Sequence, residues 1–133
     1  MKGESLSDMT REALEAFILS KYNVLAEHPW DSAPSFAVFR HQDGRKWFAV
    51  IMTIPKCKLG INEDSNIDIV NLKCPEELIC SFRQEDGIYP AYHMNKAHWL
   101  SVSLDSTVDD ETLSFLLEIS YVATRRKKHK LTP

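Results

Sequence analysis

The chain has 133 residues, of which 44% are apolar and 26% charged, a globular proportion that excludes collagen-like, coiled-coil, disordered and disulfide-dense classes. A chain of this length buries roughly two-thirds of its unfolded surface, so a single domain with its own core is expected over residues 1–133, needing no metal or disulfide, with loose ends at 1–6 and 125–133. Net charge is −3, yet Arg125, Arg126, Lys127, Lys128 and Lys130 crowd the last nine positions, leaving residues 1–124 at −8, an acidic body that argues against non-specific coating of duplex DNA.

In chain order, Thr10 or Ser7 caps a first helix in which Leu14, Phe17, Ile18 and Tyr22 recur at helical spacing, with Arg11, Glu12, Glu15 and Lys21 toward water. It stops near Tyr22-Asn23. Two aromatic and β-branched runs, Ser35–Arg40 and Lys46–Met52, flank an Asp43-Gly44 turn and read as a β-hairpin. A polar stretch from Lys56 to Asn66 leads into a third strand, Ile67–Leu72. Pro75 at a first helical turn, with Glu76 and Glu77 at the positive end of the dipole, opens a short helix to about Glu85 whose inner face is Leu78, Ile79 and Phe82. Residues 88–93 and 98–104 form a second hairpin across Met94-Asn95-Lys96-Ala97; Trp99, Ser101 and Ser103 alternate with Leu100, Val102 and Leu104, predicting one packed face and one half-open face. A last helix starts around Val108-Asp109-Asp110 and carries Leu113, Leu116, Leu117 and Tyr121 on one stripe. This α-β-β-β-α-β-β-α order predicts an α+β two-layer sandwich, an antiparallel sheet with its helices on one face.

The residues exclude several functions. No N-terminal run suits a signal peptide and nothing approaches the ~18 apolar residues of a membrane span, so a soluble cytoplasmic protein without a membrane partner is expected. Cys57, Cys74 and Cys80 are odd in number and form no Cys-x-x-Cys pair, which fits reduced thiols. The four glycines make no Gly-x-Gly or Walker pattern, removing the main nucleotide-hydrolase routes. Glu76-Glu77 and Asp109-Asp110 are explained as helix starts. No cofactor is expected.

The densest chemistry lies in Tyr89–Trp99, where two histidines, a lysine, an amide and three aromatics occupy eleven residues. On a hairpin this segment presents Asn95 and Lys96 at a cationic tip beside aromatic rings, as phosphate and base contacts need. The same composition also suits a hydrogen-bonded lock that satisfies His93 and His98 internally. A metal site is not expected, because His93 and His98 supply two ligands where three or four must converge, with Cys74 or Cys80 only conceivably near. Cys74 beside a histidine would make a nucleophile only if a cation lowered its pKa, and a lone cysteine before a helix is more often a small buried side chain. The cationic tail suits a phosphate backbone, though cations also complement a helix C-terminus.

The helix-opening Thr10-Arg11-Glu12, the hairpin Val38-Phe39 to Trp47-Phe48-Ala49, Asn71-Leu72-Lys73-Cys74, the late Ser120-Tyr121 and above all Tyr92-His93-Met94-Asn95-Lys96-Ala97-His98-Trp99 resemble the MmcQ/YjbR-like family, small bacterial domains with a CyaY-like fold that are described as DNA-binding. The resemblance spans nearly the whole chain, and the His-x-Asn-Lys-x-His-Trp run is its specific part. It implies a non-enzymatic DNA-binding domain whose hairpin tips act as wings and whose contact surface is Lys73, His93, Asn95, Lys96, His98 and Trp99. Lys73 and Lys96 would meet phosphates, His93, Asn95 and His98 would donate hydrogen bonds, and Trp99 would stack or pack. The acidic body and the 56–66 loop depart from a comfortable DNA binder. They keep open an alternative, a module that takes a peptide or small anionic ligand in a cleft beside the 89–99 hairpin.

Overall fold

Thr10 holds an extended backbone and its hydroxyl accepts from the Ala13 amide, which opens α1 (Arg11–Tyr22). Asn23 ends it in the left-handed conformation (φ 58°), its N–H donating to the Leu19 carbonyl, a geometry that asparagine tolerates. The computed structural model describes residues 10–43 and 46–125. After α1 come β1 (Ala37–Arg40), β2 (Trp47–Pro55), a 3₁₀ turn (Lys56–Leu59), β3 (Asn66–Lys73), α2 (Glu76–Phe82), β4 (Ile88–Pro90), β5 (Trp99–Ser103) and α3 (Asp110–Thr124). This is the order expected from the sequence. Of the two candidate caps for α1, Ser7 lies outside the described residues, as do Gly44 of the first turn and the tail beyond Arg125.

The strands form one sheet in the order β1-β2-β3-β5-β4, every pair antiparallel. Alternation sends Phe39, Ile51, Leu72 and Leu100 to one face, where they join Leu14 and Ile18 of α1, Ile79 of α2 and Leu113 and Leu117 of α3 in the main core. All three helices lie on this face. The other face carries a second cluster, Val38, Val50, Met52, Ile54, Ile67 and Ile69, against which none of the three α-helices packs. Segments outside the strands cover it, with Trp30 and Phe36 from the connection before β1 and Tyr92 and Met94 from the one before β5.

Several local expectations are corrected. Arg11 does not face water: its side chain is 14% exposed and donates to Thr53 Oγ1 at 3.0 Å and to the Ser35 carbonyl, because the strand ends beneath α1 offer acceptors that a long guanidinium reaches. Pro75 precedes α2 rather than opening it, and the seven-residue helix leaves Leu78 37% exposed, with Ile79 and Phe82 turned inward. β5 is buried along its whole length, so neither of its faces is half-open. The strand expected over 88–93 ends at Pro90, for a reason that also builds the site.

Ser120 of α3 ties the helix layer to the sheet. A bulge between Phe39 and Arg40 on the β1–β2 ladder shifts register where the β2–β3 pairing also ends, at Ala49↔Leu72. There the Ser120 hydroxyl accepts from the Lys73 N–H at 2.8 Å and donates to the Phe48 carbonyl, satisfying two backbone groups that the ladder leaves over.

Candidate nucleic-acid interface

The site begins inside the sheet. Asn71 on β3 lies opposite Ser101 on β5 and both are fully buried, so their polar atoms need partners. They find them on Tyr92. Asn71 Nδ2 donates to the Tyr92 carbonyl at 2.9 Å, the Tyr92 N–H donates to Ser101 Oγ at 2.9 Å, and Ser101 Oγ in turn donates to Asn71 Oδ1. This ring of three bonds draws the Tyr92 backbone out of the β4 ladder and onto the sheet, and ends the strand early. His93 then takes a left-handed backbone (φ 61°), a conformation that costs a non-glycine residue energy and persists where surrounding contacts impose it.

The rest of the connection to β5 is a hydrogen-bonded turn. The Asn95 carbonyl accepts from the His98 N–H at 3.1 Å and the Trp99 N–H at 2.9 Å, while Asn95 Oδ1 accepts from the Ala97 N–H at 2.8 Å. The His98 carbonyl accepts from the Cys74 N–H at 2.8 Å, joining the turn to the start of α2. Arg83 Nη1 donates to the Lys96 carbonyl at 3.4 Å. The lock is therefore built by Asn71, Ser101 and backbone groups, with the His93 ring left exposed.

The six residues singled out in the sequence separate into two groups. His93, Asn95 and Lys96 are exposed at the tip; Lys73, His98 and Trp99 lie beneath them at the end of the sheet. Trp99 is only 9% exposed, and the Lys73 ammonium sits 5.8 Å from its ring centroid, within cation–π range. Among the described residues no three His, Cys, Asp or Glu side chains converge as metal ligands, and all three cysteines are free. Burial, with Glu77 adding to it, pushes the Cys74 thiol up, the direction opposite to an activated nucleophile.

A cation that the sequence reading left in a loop completes the surface. Lys58, on the 3₁₀ turn, lines one notch with Lys96, Tyr89 and Tyr92, a volume of about 230 Å³. Neither lysine pairs with a carboxylate among the described residues, in contrast to Lys56, whose ammonium binds Glu63 at 2.7 Å. Burial, then Asp105 and Asp86, raise the Tyr89 phenol above its ordinary value, with Lys56 opposing, so Tyr89 is a neutral hydroxyl at physiological pH. The signal for Lys58 was the lysine pair Lys56-x-Lys58 within an otherwise acidic loop.

A second cleft, about 310 Å³, opens on the helix-free face of the sheet. Trp30, Phe36 and Trp47 wall one side and His93 and Met94 the other, with Val50 and Met52 among the sheet residues that line it. Of the six contact residues expected from the sequence, His93 alone lines this cleft.

Comparison with known proteins adds to this geometry. The YjbR family model matches residues 19–123. The YyaQ protein of Bacillus subtilis is 37% identical over 117 residues, covering 88% of this chain and 99% of its own. YjbR of Escherichia coli K12 is 37% identical over 62 residues, 46% of this chain and 52% of its own. Among solved structures, the crystal structure of a Pseudomonas syringae protein shares 44% identity and a TM-score of 0.87 over 88% of this chain and all of its own. A Deinococcus radiodurans crystal structure shares 28% identity and a TM-score of 0.68, over 93% and 85% of the two chains.

Proposed function

The chain belongs to the YjbR family, and from that premise we propose that it is a non-enzymatic DNA-binding domain that takes a strand across the notch beside the β4–β5 hairpin. One observation carries the reading: Lys58 and Lys96, from separate elements, line a single notch with two tyrosines. Ammonium groups spaced along a backbone with rings between them are what single-stranded nucleic acid requires, phosphates on the cations and sugar or base against the rings. His93 and the Asn95 amide add donors at the tip. Lys73, His98 and Trp99 form the layer that supports it, and Lys73 keeps a partial reach to a phosphate.

At about 230 Å³ the notch lies below the roughly 300–1,000 Å³ of pockets that bury a drug-sized ligand. An open notch suits a strand that passes over it. The acidic body then confines contact to this local patch, so affinity rests on few phosphates and depends strongly on each lysine.

Fluorescence anisotropy with labelled single-stranded and duplex oligonucleotides, at about 50 and about 200 mM salt, tests this reading. Lys58→Ala and Lys96→Ala are each expected to weaken binding alike across sequences and to make the log–log salt slope shallower by about 0.7 on single strands. Unchanged affinity in both variants, or no binding below about 100 μM at the lower salt, would overturn it.

A further inference from the structure

The geometry points to a second binding site that meets the first at His93: the 310 Å³ cleft on the helix-free face takes a small neutral bicyclic aromatic molecule carrying one hydrogen-bonding group. Size sets the first limit. An apolar cavity of about 150 Å³ accepts one benzene ring, so a cleft of twice that volume accommodates two fused rings.

Shape and polarity set the rest. The Trp30 ring meets Phe36 at 84° and Trp47 at 87°, with centroids 6.1 and 5.7 Å away, so the wall is an aromatic corner offering both faces and edges to an entering ring. Met52 and Met94 place thioethers at the same cleft, and sulfur packs well at ring edges. Among the described residues no Lys, Arg, Asp or Glu lines it, so it lacks the paired ammonium groups that suit the notch to an anion. Ser32 and His93, with the indole N–H groups of Trp30 and Trp47, are the polar side-chain groups among its described lining residues, enough to orient one hydroxyl, ring N–H or carbonyl.

The cleft is also held open by its own scaffold. His93 and Met94 follow directly on Tyr92, whose backbone is pinned to Asn71 and Ser101, and the left-handed His93 backbone places its ring at 4.1 Å from Tyr92, tilted by 52°. The opposite wall is fixed by the turn in which the Ala33 N–H donates to the Trp30 carbonyl and the Phe36 N–H to the Ala33 carbonyl. A preformed apolar site loses little freedom on binding.

Titration of the ¹⁵N-labelled protein with 2-naphthol, followed by NMR, tests the inference. Saturable shifts are expected at the Trp30 and Trp47 indole N–H groups and at His93, with a dissociation constant below about 1 mM. Ala33→Phe, which fills the cleft from its turn, should weaken binding at least about tenfold while leaving the remaining spectrum and oligonucleotide binding as in the parent. Absence of saturation at the indole groups, shifts centred instead on the exposed apolar side chains Leu19 and Leu25 of α1 and the segment after it, or equal binding by a folded Ala33→Phe variant would each overturn it.

Discussion

Asn71 sits in the middle of the sheet with no access to water, where an amide is costly unless every group is bonded. Its partners, Tyr92 and Ser101, are 21 and 30 residues away, so the bond that shapes the site is tertiary. Asn71→Ala removes the amide and leaves the Tyr92 carbonyl and the Ser101 hydroxyl short of a partner. It should cost about 2–4 kcal/mol in urea unfolding and broaden the resonances of residues 91–98. An unchanged unfolding midpoint with sharp tip resonances would mean that the tip is held some other way.

His41, which follows β1, sets a pH dependence. It is buried, its Nε2 lies 2.8 Å from Thr124 Oγ1, and its ring rests 4.3 Å from Tyr121 and 5.1 Å from Phe48. Burial lowers its pKa from the ordinary 6.5 and the Arg125 charge adds to that, against a Tyr121 backbone bond and Asp43. The unfolded chain therefore takes up a proton near pH 6.5 that the folded chain refuses, so this contribution to stability is complete above that value and falls as pH drops toward the folded pKa. Urea midpoints should decline between about pH 7 and 5, and His41→Gln should flatten the decline. A His41→Gln profile parallel to that of the parent would contradict this.

At the scale of elements, much was legible because it rests on local periodicity. Leu14 and Ile18 mark the face of α1, Leu113, Leu116 and Leu117 that of α3, and the β-branched runs give β2 and β3. Thr10 and Asp109 announce helix starts by side chains that accept from N–H groups three residues on. What escaped the sequence depends on contacts between distant segments. Pro90, which has no N–H for the ladder, is the one local hint that β4 ends there; the Asn71–Ser101 lock that draws Tyr92 away is not legible locally. Arg11 reads as surface until Thr53 and Ser35 are beside it. The site was half legible: His93, Asn95 and Lys96 stand out in one dense run, whereas Lys58 joins them only through the 3₁₀ turn. Trp30 and Phe36, in a Pro-containing segment without periodicity, gave one hint, since large rings in a connection must cover something.

For the whole molecule, the two layers divide the work. The helix face of the sheet holds the main core, while the other face and the hairpin end carry the aromatic cleft and the notch, with the 91–98 connection between them. Tyr92 lines the notch and His93 the aromatic cleft, so consecutive residues on one pinned backbone border two openings of different chemistry. Cations at the notch stand against an acidic body, which predicts few phosphate contacts and a modest salt slope. No helix among the described residues is long and apolar enough to cross a membrane.

The central claim is that the notch between Lys58 and Lys96 is where nucleic acid binds. The most direct measurement is an NMR shift map of the ¹⁵N-labelled protein titrated with a short single-stranded oligonucleotide at low salt. Saturable changes should centre on Lys58, Tyr89, Tyr92 and residues 93–96, with Trp30 and Trp47 undisturbed. A map with no saturable change, or one centred elsewhere on the surface, would contradict the account.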